Sequence, residues 1–316
     1  MKKFAIGMCA AIALVLFAGC ETTGNAANLP AAPDGFVTIK GTTVSGALSD
    51  YDTNVFRDGR KITIPTMYVS DHEVTRSEYA VYGTTSQTSN TDYPVSNVNW
   101  YDAVVYCNLR SMAEGFTPCY SISAETDPKN WPGIQIDANG KYKGPDKSND
   151  AWNRMEFNVK ADGYRLLTNA EWEYCARGGK TVGGTVLGIM SAISGGDTGP
   201  TTETYAGSIF YNDVCWCSQN SGKSAHPVKA KKANKLGLYD MSGNVWEWCW
   251  DYYSYNITKS TPSTGPVVYS SEAGSRVFRG GSYDYKDNSC TDQSFSGSGA
   301  AGRFADRGFR ICRTIE

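Results

Sequence analysis

Only three stretches of this chain carry helix start and stop signals, and each is short, so the fold must be built mostly from small strands and ordered loop. Thr75 opens TRSEYAVYG with Glu78 three residues on, a capping box closed by Gly83. Asn99 can cap WYDAVVYCNLRSMAEG, where Trp100, Val104, Cys107 and Met112 fall on one face and Gly115 ends the run. Thr168-Asn169-Ala170-Glu171 is a further box, leading into EWEYCARGG and stopping at Gly178-Gly179. The rest is dominated by glycine, serine, asparagine, tyrosine and short alternating runs. The reading is one α+β domain over 34–316, with two inserts, Ala124 to Arg154 and Gly183 to Ser208, whose turn-rich composition predicts surface loops.

The N-terminus reads MKKFAIGMCAAIALVLFAGC, with two lysines, an apolar run and small residues before a cysteine. It is too short to span a membrane and has the form of a signal peptide, residues 1–20. Phe17-Ala18-Gly19-Cys20 resembles a bacterial lipobox with Phe17 where leucine is usual, which makes Cys20 the expected lipidation site. A plain secretory signal is the alternative. Acyl chains at roughly 0.8 kcal/mol per buried CH₂ give stable anchoring. The expected location is therefore the bacterial outer surface, with a small, polar, proline-bearing tether over 21–33.

Several function classes drop out. Net charge is −2 and no basic run occurs, which gives no footing for nucleic acid. The chain has two histidines, His72 and His226, so a three-histidine metal site is excluded, and His72 beside a helix start reads as a capping or surface residue. No nucleophile elbow, P-loop or dinucleotide fingerprint is present. Beyond Cys9 and Cys20 there are eight cysteines, at 107, 119, 175, 215, 217, 249, 290 and 312. Export permits disulfides among them, while apolar settings such as AVVYCNL suit buried thiols, and both remain open. Cys215-Trp216-Cys217 is read as packing, since no second pair accompanies it. Nothing points to an oligomer, so a monomer is the default.

Four strings are more specific: GYRLLTNAEWEYCARGG, GLYDMSGNVWEWCWD, RVFRGGSY and RGFRICR. With HEVTRSEYA and YPVSNVNWYDAVVYCN they resemble, in order, the sulfatase-modifying family that includes the formylglycine-generating enzyme. The resemblance runs from about Phe36 to Arg313. It implies a C-type-lectin-like fold with short helices around small sheets and long loop inserts. In YDMSGNVWEW, Asp240 and Glu247 offer carboxylates and Gly243 and Val245 carbonyls, hard oxygen ligands of the kind calcium prefers. By resemblance these four match a structural calcium site; a loop closed by its own hydrogen bonds is the alternative. The family's enzyme uses two cysteines soon after GGS to bind copper. Here Tyr285 stands at the first and Cys290 at the second. A phenol cannot replace a thiolate in holding Cu(I), so no copper and no catalysis are expected. The alternative is a modifying oxidase using Cys290 with another cysteine.

Between RVFRGGSY and RGFRICR, within a C-terminal region of about 279–313, the segment Asp284 to Asp306 is nearly without core residues. It has no alternating apolar face, which predicts an exposed segment held by its flanks. No tryptophan follows Trp250. This organisation resembles the variable proteins of diversity-generating retroelements, whose C-terminal repeat is rewritten by adenine-specific mutagenesis. Randomised asparagine codons never yield Lys, Gln, Glu, Met or Trp, and here only Lys286 and Gln293 break that rule. About four or five exceptions would be expected of ordinary sequence. The resemblance implies a scaffold that presents aromatic and small polar residues to a protein or glycan ligand, as antibody loops do. Expected contacts are Asp284, Tyr285, Asp287, Asp292, Ser294, Phe295, Ser296, Ser298, Phe304 and Asp306, with Tyr285, Phe295 and Phe304 as the energetic anchors.

Overall fold

The computed structural model describes residues 31–46, 55–56, 60–179, 204–254 and 275–315. The leader, Cys20 and most of the tether lie outside the described residues, as does the second insert up to residue 203. Ala32–Glu316 form one compact unit. Among the described residues no helix is long and apolar enough to cross a membrane.

The three expected helices form where their caps place them. Arg76–Tyr79, Trp100–Ala113 and Asn169–Ala176 follow Thr75, Asn99 and Thr168, and each closes a reciprocal capping box, with Glu78, Asp102 and Glu171 respectively. In the long helix Trp100, Val104 and Cys107 are buried as expected. Met112 is not: Ser111 continues the buried stripe, and Met112, one step of about 100° further round, is 42% exposed.

Two four-stranded sheets carry the architecture. The first orders Phe36–Ile39, Met67–Ser70, Ile311–Thr314 and Tyr164–Leu166, all neighbours antiparallel, so strands from the two ends of the domain flank Met67–Ser70 in one sheet. The second orders Phe295–Gly299, Ser275–Arg279, Trp246–Tyr252 and Arg307–Phe309, with only the last pair parallel.

Strand Trp246–Tyr252 divides the interior. Side chains alternate across a strand, and Trp246, Trp248 and Trp250 enter one core with Trp100, Phe278 and Phe309. Cys249 enters the other, with Val277, Trp172 and Ile39. Burial of large rings at roughly 25 cal/mol per Å² drives both layers.

The strings most specific in the sequence meet as buried ion pairs. Arg165 pairs with Glu171 at 2.7 Å, Arg279 with Glu173 at 2.8 Å and Arg310 with Glu247 at 2.7 Å. Each charge would be costly unpaired, and each is completed by further hydrogen bonds, such as Arg310 to the carbonyls of Ser70 and Tyr239.

The first insert differs from expectation. Residues 124–154 include the helix Asp150–Asn153 and short strands, and Trp131 and Trp152 belong to the main core. The two rings meet edge-on at 5.2 Å, and the Trp152 indole N–H donates to the Pro132 carbonyl. Turn-rich composition hid two anchoring tryptophans. All eight described cysteines are free and buried.

Candidate ligand-display face

The segment between the two C-terminal strings leaves the Gly280-Gly281 corner, forms a short 3-10 turn at Asp287–Ser289, and returns as the edge strand Phe295–Gly299. That strand corrects the expectation of a segment held only by its flanks. Its pairing with Ser275–Arg279 runs Arg279↔Phe295, Phe278↔Ser296, Val277↔Gly297, Arg276↔Ser298 and Ser275↔Gly299. Backbone pairing forms the strand without an alternating apolar face, and its side chains are largely half-buried.

Register sorts the expected contacts. Ser296 and Ser298 lie opposite Phe278 and Arg276, on the tryptophan side of the sheet. Phe295 lies opposite Arg279, on the other side, under the Arg279 guanidinium at 5.3 Å and beside Tyr253 at 5.7 Å. Phe295 is therefore separated from the other two aromatic anchors.

Those two are joined. Tyr285, 44% exposed, meets Trp246 edge-on at 5.4 Å, and Trp246 meets Phe278 at 5.0 Å. The Arg307 guanidinium stacks over Phe278 at 3.7 Å and over Phe304 at 4.0 Å. Phe304 is 40% exposed. A buried ladder of Trp246, Phe278 and Arg307 thus holds an exposed aromatic at each end. Burial lowers the Arg307 pKa to about 10, still far above neutrality, so the rung stays cationic. The ladder residues escaped sequence reasoning; the alternation of VWEWCW against RVFR was the signal that could have found them.

The acidic positions divide by role. Asp284 is exposed. Asp287 accepts from the Tyr205 hydroxyl at 2.9 Å and from the Gln219 side-chain amide at 2.6 Å, and the Tyr205 bond leads in holding its carboxyl below the usual range. Asp306 accepts from the Ser282 hydroxyl at 2.9 Å. These last two fasten the segment to its frame. Asp292 is buried, with its N–H donating to the Thr204 carbonyl at 3.2 Å, so it faces the protein and not a ligand. Ser294 is half-buried and bonds Thr291 at 2.9 Å.

The four positions matched to calcium lie at one buried turn beside Glu73. Glu247 is engaged by Arg310, and its Oε2 also accepts from the Trp172 indole at 2.7 Å. Glu73 takes the Val245 N–H and the Asn244 amide. Asp240 accepts from the Lys229 N–H, while its other oxygen is buried without a hydrogen-bond partner among the described residues. Burial first, then neighbouring carboxylates, raises Glu73, and burial lifts Asp240 to about 6. Asp240 fits a hard cation; Glu247 does so only with Arg310 displaced.

Cys290 is not isolated. Cys215, Cys217 and Cys290 pack together in one buried cluster with Tyr205 and Val214. Strand Cys215–Trp216 pairs with Ser242–Gly243, and the Gln219 side chain just beyond it bonds Asp287 of the 3-10 turn. The partner comes from a segment distant in sequence, which spacing alone could not reveal.

A family model described as sulfatase-modifying factor enzyme 1-like domain matches residues 23–315. A protein of Paenibacillus barcinonensis named chaperone protein LppX is 30% identical over 99% of this chain and 100% of its own length. The formylglycine-generating enzyme of Streptomyces coelicolor is 33% identical, over 44% of this chain and 42% of its own. Among solved structures, Treponema denticola variable protein 1 superposes with a TM-score of 0.65 at 25% identity, covering 89% of this chain and 95% of that one.

Proposed function

Since the chain belongs to the sulfatase-modifying factor enzyme 1-like family, we propose that it is a non-catalytic scaffold of that family that displays a diversified C-terminal face to a protein or glycan ligand. The observation that carries this reading is the pair Tyr285 and Phe304, exposed at the two ends of the Trp246–Phe278–Arg307 ladder. Rigid aromatics on a locked frame give contact area at low entropy cost. Likeness to a variable protein over most of both chains supports it. The full-length match to a protein named as a chaperone also agrees with a role in binding.

Ser296, Ser298 and Asp284 complete the face, and Phe295 contributes from the far side of the edge strand. In this reading the chain is exported, lipidated at Cys20 and presented as a monomer on the outer surface, without nucleic acid. A calcium ion held by Asp240 with the Gly243 and Val245 carbonyls would have a structural role only.

Gene sequences from independent isolates test the proposal. Substitutions should concentrate at codons 284, 285, 296, 298 and 304 and spare Trp246, Phe278, Cys290 and Arg307. Changes spread evenly over the chain would overturn it.

The packing of Cys290 and Cys215 in one buried cluster favours a second reading, a modifying oxidase whose two soft ligands are these thiols. Among the described residues no group of three His, Cys, Asp or Glu is disposed to hold a metal. Cu(I) titration of the reduced protein separates the two: stoichiometric tight uptake lost in Cys215→Ser supports the oxidase, and no uptake removes it.

A further inference from the structure

We propose that Cys215 and Cys290 form a reversible disulfide that tethers the first half of the display segment, residues 282–290, to the scaffold. Three observations carry this. Cys215, Cys217 and Cys290 are buried together in a cluster of their own, apart from the two main cores. The other five described cysteines, 107, 119, 175, 249 and 312, are buried, and desolvation leads in raising each of their pKa values, so they remain inert thiols.

The second observation is rigidity on both sides of the contact. A Cβ at Gly281 would lie 2.4 Å from the Cys290 sulfur, and one at Gly243 would lie 2.6 Å from the Cys215 sulfur. Both glycines have positive φ, so close backbone approach seats the two thiols. The segment is already laced to the same loop, through the Ser218 N–H to the Tyr285 carbonyl at 2.8 Å and the Ser221 hydroxyl to the Tyr283 carbonyl at 2.7 Å. A covalent bond would complete an existing junction.

The third observation decides the pairing. Joining Cys215 to Cys217 would close a small ring around Trp216, which is held in strand pairing with Gly243. Cys290 enters from a separate segment without that restraint.

The oxidant is a low-molecular-weight disulfide. One cysteine thiolate attacks it, forming a mixed disulfide and expelling one thiolate; the second cysteine then attacks the mixed disulfide and expels the other. The Cys215–Cys290 bond forms, two protons leave the cysteines, and two electrons reduce the incoming disulfide to two thiols. Reopening is the reverse exchange: a low-molecular-weight thiolate attacks the Cys215–Cys290 bond and expels one cysteine, and a second external thiolate resolves the mixed disulfide, freeing the other cysteine and leaving the two external thiols as a disulfide. Oxidation also removes the two thiols that a copper reading requires.

The test does not depend on any ligand. The full chain is equilibrated with oxidised glutathione, alkylated, digested and mapped by mass spectrometry without reduction. The expected result is a peptide carrying Cys215 and Cys217 joined to one carrying Cys290, with Cys217 alkylated. Three alkylated cysteines, or a link between 215 and 217, would overturn the proposal. In the native chain, amide exchange over 283–289 should slow about tenfold on oxidation. Cys290→Ser should abolish that redox dependence, and equal exchange in both states of the native chain would also overturn the tether.

Discussion

Nη2 of Arg279 lies 2.8 Å from Oε2 of Glu173, and neither side chain is exposed. The same guanidinium reaches the Asn169 side-chain oxygen at 2.5 Å and the Gln293 carbonyl at 3.1 Å. One arginine therefore ties the second sheet, the helix Asn169–Ala176 and the base of the display segment together. Removing one partner leaves the other charge buried alone, at a cost of about 3–5 kcal/mol. Glu173→Gln should lower the denaturant midpoint accordingly in urea unfolding.

Tyr285 and Phe304 should behave in the opposite way. Each is well exposed, Tyr285 meeting Trp246 edge-on and Phe304 lying under the Arg307 guanidinium. Alanine at either position should change unfolding free energy by only about 0.5–1.5 kcal/mol. A loss comparable to that of a core residue, measured in the same urea series, would mean these rings hold the fold together and are not free to contact a ligand.

Gly281 has φ of +81°, and a Cβ there would meet the Ser289 carbonyl oxygen at 2.6 Å and the Cys290 Cα at 2.7 Å. Both are backbone or backbone-attached atoms, which cannot swing aside. Gly281→Ala should destabilise by roughly 3 kcal/mol or more, with strain and overpacking adding. Circular dichroism melting would register it as a large fall in midpoint.

His72 gives a pH signature. Burial alone would lower its pKa, but hydrogen bonds to Asp71 and Glu78 outweigh burial and raise it. Its nitrogens lie 2.5 Å from Asp71 and 3.4 Å from Glu78. A raised folded pKa means that stabilisation is fully present below the unfolded value and is lost as pH rises through the folded one. His72→Gln should therefore cost more stability at about pH 5.5 than at about pH 8.5. Asp71 works at the acid end: burial pushes it up, yet His72 and Lys229 bring it down to about 2, so its contribution fades only as pH falls from the ordinary carboxylate range toward that value.

Local chemistry made the caps legible. Thr75, Asn99 and Thr168 each begin the helix that their side chains predicted, because a cap is settled within four residues. The fold followed from strings whose charges turn out to be mutual partners, such as Glu247 and Arg310, although the pairing itself joins residues far apart in sequence. What stayed hidden was long-range. Trp131 and Trp152 lie in a turn-rich insert yet reach the core, and Asp292 looks like its exposed neighbours but is buried. Cys215 shares a buried cluster with Cys290 although the two are far apart in sequence, and the Ser218 N–H bond to the Tyr285 carbonyl laces its loop to the display segment.

The central claim is that residues 284–306 are diversified for binding, and the most direct measurement is to sequence the DNA flanking the gene. The account predicts a near-copy of the codons for the C-terminal region, differing from the gene only where the copy has adenines, beside a reverse transcriptase. Flanking DNA without such a copy would contradict it.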